Sequence, residues 1–168
     1  MAAVDPANLN WYLSGGAAND SAAASLGGAR STTTEVTADA LFDDVSGDQA
    51  ASGHTDYRCI YIMNEDADTL SNAKLWIQSN TASEDTAITI GLDLAGVSAT
   101  ADTIADETTA PDPAVTFSTA VDKANGLAVG NLAQNAYYGI WIKRVVNSSA
   151  AAVTGDTFTL KIEGDSAA

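Results

Sequence analysis

The stretch Thr55–Asn64, Thr-Asp-Tyr-Arg-Cys-Ile-Tyr-Ile-Met-Asn, alternates its side chains with a period of two. Successive residues of a strand point to opposite faces, so Tyr57, Cys59, Tyr61 and Met63 share one face and Arg58, Ile60 and Ile62 the other. A second run, Tyr137–Val146 (Tyr-Tyr-Gly-Ile-Trp-Ile-Lys-Arg-Val-Val), has the same character. The two runs are expected to be the central strands of one sandwich, with the remaining strands arranged around them.

Working outward toward the C-terminus, Asn64–Asn72 is a polar break and Ala73–Ser79 resumes a strand, expected to pair antiparallel with Thr55–Asn64. Thr86–Leu94 alternates, with Ile88, Ile90, Leu92 and Leu94 expected inward and Thr89 and Asp93 outward. Val97–Pro113 reads as a long acidic loop and Ala114–Ser118 as a short strand. Leu127–Val129 and Asn131–Gln134 follow the Asn125-Gly126 turn, and the chain closes on Thr157–Glu163 with Phe158, Leu160 and Ile162 facing in. Leu75-Trp76-Ile77 and Ile140-Trp141-Ile142 echo one another as shared β patterning rather than as a repeat.

Toward the N-terminus, Leu41–Asp48 offers a Leu-Phe pair and an acidic turn, followed by a tight loop rich in Asp, Ser and Gly. Ser31–Thr37 is β-prone but weakly apolar, as suits an edge strand or an extended connection. Gly15–Gly28 is too small-sided to build a core and too rich in glycine for a stable helix, so it orders only against something else. Before it, Asn8–Ser14 alternates Leu9, Trp11 and Leu13 against Asn10 and Tyr12, a short strand. That strand is either an edge of its own sandwich or an arm that docks on a neighbouring subunit. The arm reading makes Leu9, Trp11, Tyr12 and Leu13 subunit-interface residues. The fold expected is therefore all-β: an extended N-terminal arm over residues 1–30 and a single antiparallel, jelly-roll-like β-sandwich over residues 31–168.

A chain of 168 residues suits one domain with a sizeable core, although alanine inflates the 46% hydrophobic content. Seven Lys and Arg against 22 Asp and Glu give a formal net charge of -15, which repels phosphate backbones and anionic membrane surfaces. Neither nucleic acid nor a membrane is expected as a partner. The opening residues, Met1-Ala2-Ala3-Val4-Asp5-Pro6, lack the basic start and apolar run of a signal peptide, so synthesis in the cytoplasm is expected. Cys59 is the single cysteine, which rules out an intrachain disulfide and reads as a small buried hydrophobe.

Catalytic chemistry is sparse. Ser52, His54 and Asp56 alternate on one strand face, but near neighbours on one strand seldom form a triad, and His54 is expected to be a solvated loop residue. One histidine and one cysteine leave no zinc site of the usual kind, and no cofactor is expected. The acidic clusters Asp43/Asp44/Asp48, Glu65/Asp66/Asp68 and Asp102/Asp106/Glu107 lack the ligand register of an EF-hand and read as solvated turns. Trp76 and Trp141 are expected in core or interface packing, the alternative being an aromatic platform for sugar.

The segment Leu41-Phe42-Asp43-Asp44-Val45-Ser46-Gly47-Asp48, followed by Gly53-His54-Thr55-Asp56-Tyr57-Arg58-Cys59-Ile60-Tyr61-Ile62-Met63-Asn64, resembles structural proteins of tailed-bacteriophage virions. The later Gly139-Ile140-Trp141-Ile142-Lys143-Arg144 and the early Tyr12-Leu13-Ser14-Gly15-Gly16-Ala17 fit the same resemblance. The resemblance implies a non-enzymatic virion component, made in the host cytoplasm. The expected function is that of a capsid cement, or decoration, protein on the capsid exterior. Its implied partners are the major capsid protein and further copies of itself, with a trimer favoured. The runner-up is a tail- or fibre-associated module that recognises host glycan through Trp76, Trp141 and acidic loops.

Overall fold

The computed structural model describes residues 4–33, 35–36 and 41–165. Thr34 and Thr37 of the expected 31–37 strand lie outside the described residues, as do Met1, Ala2 and Ala3 of the opening segment.

The chain is all-β, with antiparallel sheets. Strands β1 (Leu9–Leu13), β3 (His54–Asn64), β5 (Thr86–Leu92) and β8 (Tyr137–Val146) form one sheet in the order β1-β3-β8-β5. Strands β4 (Leu70–Ser79), β7 (Leu127–Leu132) and β9 (Thr159–Asp165) form a second, in the order β7-β4-β9. A small ribbon pairs β2 (Gly27–Gly28) with β6 (Ala101–Thr103). Among the described residues, sheets of four and three antiparallel strands make up the expected β-sandwich.

The two quoted runs are the centre, as their alternation requires. β3 and β8 pair in unbroken register from His54 opposite Val146 to Met63 opposite Tyr137. Ile60, Ile62, Ile140 and Ile142 turn one face toward the second sheet, where they meet Leu70, Ala73, Leu75, Ile77, Val129, Leu132 and Ile162. The opposite face carries Tyr57, Cys59, Tyr61, Met63 and Trp141, which pack with Tyr12, Ala101 and Ile104 in a second apolar cluster. Leu26, Val115 and Phe117 close over that cluster. The central sheet is thus covered on both faces, by a sheet on one side and by loops on the other.

Several expectations are corrected. Thr55–Asn64 and Ala73–Ser79 do not form a hairpin: β3 lies between β1 and β8, whereas β4 lies between β7 and β9 in the other sheet. The buried Asn64 turns the chain across. Its Nδ2 donates to the carbonyls of Asp68 and Leu132, at 2.9 and 2.8 Å, and its Oδ1 accepts from the Asp66 amide. The turn is thereby spent on bridging the sheets rather than on returning beside β3. Residues 45–53 are not all loop, because α1 (Gly47–Ser52) starts with a capping box in which Ser46 and Gln49 bond each other's backbone amides. Leu94 is 60% exposed and Asp93 is buried, the reverse of expectation, because β5 ends at Leu92 and the alternation ends with it. Val97–Pro113 contains β6, and Ala114–Ser118 makes only a single bridge, Ser118 to Ile90.

Within residues 4–30 the chain folds back on the sandwich instead of extending from it. β1 pairs with β3 of its own chain, from Leu9 opposite Asn64 to Leu13 opposite Ile60. The Gly15–Gly28 segment does order against something else, and that something is the same chain. Asn19 Nδ2 donates to the carbonyls of Ser14 and Ser21, and Ser14 Oγ accepts from the Gly27 amide. Gly27 has φ +88°, and a Cβ there would stand 1.8 Å from the Asp102 carbonyl oxygen, so only glycine permits the β2–β6 contact.

Ile140→Ala is expected to lower unfolding free energy by about 2–5 kcal/mol, the usual cost of a large-to-small change in a core. Denaturant melts measure it. A loss below roughly 0.5 kcal/mol would remove Ile140 from the core.

Candidate functional site

At the end of the sandwich where β3 begins, the inter-sheet face changes from apolar to charged. His54, Asp56 and Arg58 occupy the same face as Ile60 and Ile62, since all are even-numbered on one strand. Arg144 lies opposite Asp56 in the β3–β8 register. Asp56 and Arg58 are each 1% exposed. Charges so buried persist only when paired.

The pairing is specific. Arg144 donates from Nε and from a terminal nitrogen to the same Asp56 oxygen, Oδ2, at 2.8 and 2.6 Å. Its remaining terminal nitrogen donates to the Asp43 carbonyl at 2.8 Å. Arg58 donates to Glu107 Oε2 and to the Tyr57 carbonyl. Phe42 lies beneath both guanidinium groups, with ring-centre distances of 4.7 Å to Arg144 and 5.7 Å to Arg58, a cation–π arrangement. Glu107 is brought in by its backbone: its carbonyl accepts from the Tyr57 amide at 2.7 Å, on the part of the β3 edge that β1 does not reach.

Three atoms of this cluster, Arg58 Nε, Asp56 Oδ1 and His54 Nε2, are buried without a hydrogen-bond partner. Asp56 Oδ1 and His54 Nε2 lie 2.6 Å apart, at ion-pair distance, but make no hydrogen bond with each other or with another group. His54, Asp56 and Glu107 together bring three donor atoms within 4.8 Å of one another. A shallow cleft of about 510 Å³ opens beside them, lined by Ser52, Gly53, His54, Thr55, Thr108, Val146, Asn147 and Ser148. His54 is therefore not a solvated loop residue but the first residue of β3, half-buried against a carboxylate. Ser52 is no nucleophile partner for it, since its hydroxyl donates to the Asp48 carbonyl at the end of α1.

The residues expected at a subunit interface are used within the chain. Tyr12 and Leu13 are buried, at 8% and 3% exposure, while Leu9 and Trp11 are half-buried against the inter-sheet core. The outer edge of β1 is covered too: Ser31 and Val36 donate their amides to the carbonyls of Leu13 and Trp11. Side chains after β3 fasten the strand. Tyr12 Oη donates to Glu65, which pushes the phenol up to about 12, and Asn10 donates to the same carboxylate. Asp66 accepts from the Asp68 amide, Asn8 Nδ2 and the Asp5 amide, which hold its carboxyl at about 2.

Trp141 is fully buried and donates from Nε1 to Asp93 Oδ2 at 2.8 Å; Trp76 is 6% exposed, with Lys161 above its ring. Cys59 is fully buried, and burial pushes its thiol well above the ordinary range. In the acidic turns, Asp106 accepts from Thr108 and Thr109, and Asp66 is engaged as above. Among the described residues, no helix is long and apolar enough to cross a membrane.

The even-numbered charges of β3 were a readable signal for this cluster, since charged residues on the face of buried isoleucines need partners. Glu107, 49 positions after Arg58, carried no such signal. No family model, curated protein or solved structure matches the chain.

Asp56→Ala leaves Arg144 without its carboxylate and is expected to cost about 3–5 kcal/mol in denaturant melts, the penalty for breaking a buried pair. A cost under about 1 kcal/mol, the surface range, would mean that the pair is solvated. Acid should loosen β1. Asp66 is depressed from 3.8 to about 2, and Glu65 lies below its ordinary 4.5, chiefly through the Tyr12 hydroxyl. A depressed carboxyl stabilises the fold above its unfolded value, and that contribution is lost as pH falls through its folded value. The thermal midpoint should therefore fall more steeply below pH 4 in the wild type than in Asp66→Asn; equal slopes would remove Asp66 from the fastening of β1.

Proposed function

We propose that this protein is a structural component of a tailed-phage virion that binds the outside of the capsid and stabilises contacts between capsid subunits. The observation that carries the reading is where the resembling residues meet. Phe42 and Asp43, Asp56 and Arg58, and Arg144 come from three separate stretches of the chain and form one packed cluster. Three of the stretches that carry the resemblance thus meet in one part of the sandwich, which supports the reading.

Two further features support it. The net charge of -15 suits an outward surface held away from packaged nucleic acid. Among the described residues, β7 and β9 have no backbone partner on their outer sides, leaving sheet edges that a neighbouring subunit can cover. Repetition on a symmetric shell multiplies a modest affinity per site. The glycan-binding alternative relied on Trp76 and Trp141, whose burial leaves neither ring free for stacking.

The test is to count copies, by quantitative mass spectrometry, in particles made from the genome that encodes the chain. Hundreds of copies on tailless heads are expected. A few copies that disappear with the tail would overturn the cement reading in favour of the alternative.

A further inference from the structure

We propose that His54, Asp56 and Glu107 form a binding site for a divalent transition-metal ion of the Zn2+ type. The inference is independent of the virion reading. It rests on the cluster together with two of its donor atoms, Asp56 Oδ1 and His54 Nε2, both buried and without a hydrogen-bond partner.

A buried carboxylate oxygen beside a buried ring nitrogen is costly unless something positive lies between them. The two atoms stand at ion-pair distance, 2.6 Å, but make no hydrogen bond, so a proton on Nε2 leaves the Asp56 oxygen without one. A metal ion binds both atoms from a point off the line joining them. In a tetrahedral site with bonds of ~2.0 Å, two ligand atoms stand about 3.3 Å apart. The present 2.6 Å then has to widen by less than about 1 Å, within reach of a side-chain rotation of the rim residue His54.

The surroundings match what such a site needs. Arg144 holds the other oxygen of Asp56, and Arg58 holds Oε2 of Glu107, so each carboxylate is oriented from outside the donor set. The cleft beside Thr108 gives an entry path and room for a water as fourth ligand. Two carboxylates and one imidazole select a borderline ion over calcium, whose ligands are all oxygen. The two guanidinium groups offset the charge of the two carboxylates, which weakens the pull on a cation.

The experiment uses the untagged full chain, titrated with Zn2+ by calorimetry and with Co2+ by visible absorbance. Wild type is expected to take up a single equivalent, to develop the Co2+ d–d bands, and to melt at higher temperature with Zn2+ present. His54→Ala, at the rim, should fold with unchanged circular dichroism, lose the bands and bind at least tenfold more weakly. Glu107→Gln should weaken binding in the same direction. With so acidic a surface, Ca2+ is the comparison ion, and its weak uptake should be the same in wild type and His54→Ala. No saturable Zn2+ uptake by wild type, or equal affinity in wild type and His54→Ala, would overturn the site.

Discussion

The structure depends on β3 being enclosed on every side. Its faces are buried, one under the second sheet and one under loops, and its edges are bonded to β8 along the whole length and to β1 and the Ser25 and Glu107 carbonyls on the other side. From Asp56 to Asn64 the strand is buried throughout. Every other element is fixed by which part of β3 it has to cover.

Covering the aromatic face falls to segments that look unfit for it. Gly15–Gly28 and residues 97–117 are rich in small and polar side chains, yet Leu26, Ile104, Val115 and Phe117 close over Tyr57, Tyr61 and Trp141. Small residues make this workable. The chain lies close against the sheet and satisfies its polar groups through Ser14, Asn19 and the Tyr61 hydroxyl, which donates to the Gly28 carbonyl. A segment that cannot pack on itself can still pack on a flat aromatic surface.

At the far end of β3 the core gives way to charge. Two arginines, two carboxylates and Phe42 fill the space that apolar residues fill elsewhere, and they tie β3, β8, residues 41–43 and the loop at Glu107 into one unit. A buried network of this kind contributes little net stability over a well-packed apolar core, but it is demanding in geometry, so it fixes which segments meet. The same demand leaves Asp56 Oδ1 and His54 Nε2 facing each other beside an open cleft.

What the sequence by itself determined is the strand content and the two centres: period-two alternation over Thr55–Asn64 and Tyr137–Val146 names both faces of β3 and β8, because pleating leaves no other arrangement. The helix α1 and the pairing of the charges at 54, 56, 58 and 144 were not read from it: the Asp, Ser and Gly content of residues 45–53 reads as loop, and His54 as solvated. Pairing partners were decided only by the tertiary structure. Strand alternation carries no information about which strand lies alongside, so β4 left β3 for the other sheet when Asn64 bonded to Leu132. Whether Leu9–Leu13 reaches outward or folds home depends on long-range bonds to Glu65 and Asp66 that no local pattern encodes. Glu107 joins the cluster for the same reason: a long-range backbone bond to Tyr57 puts it there, and only the folded chain contains that bond.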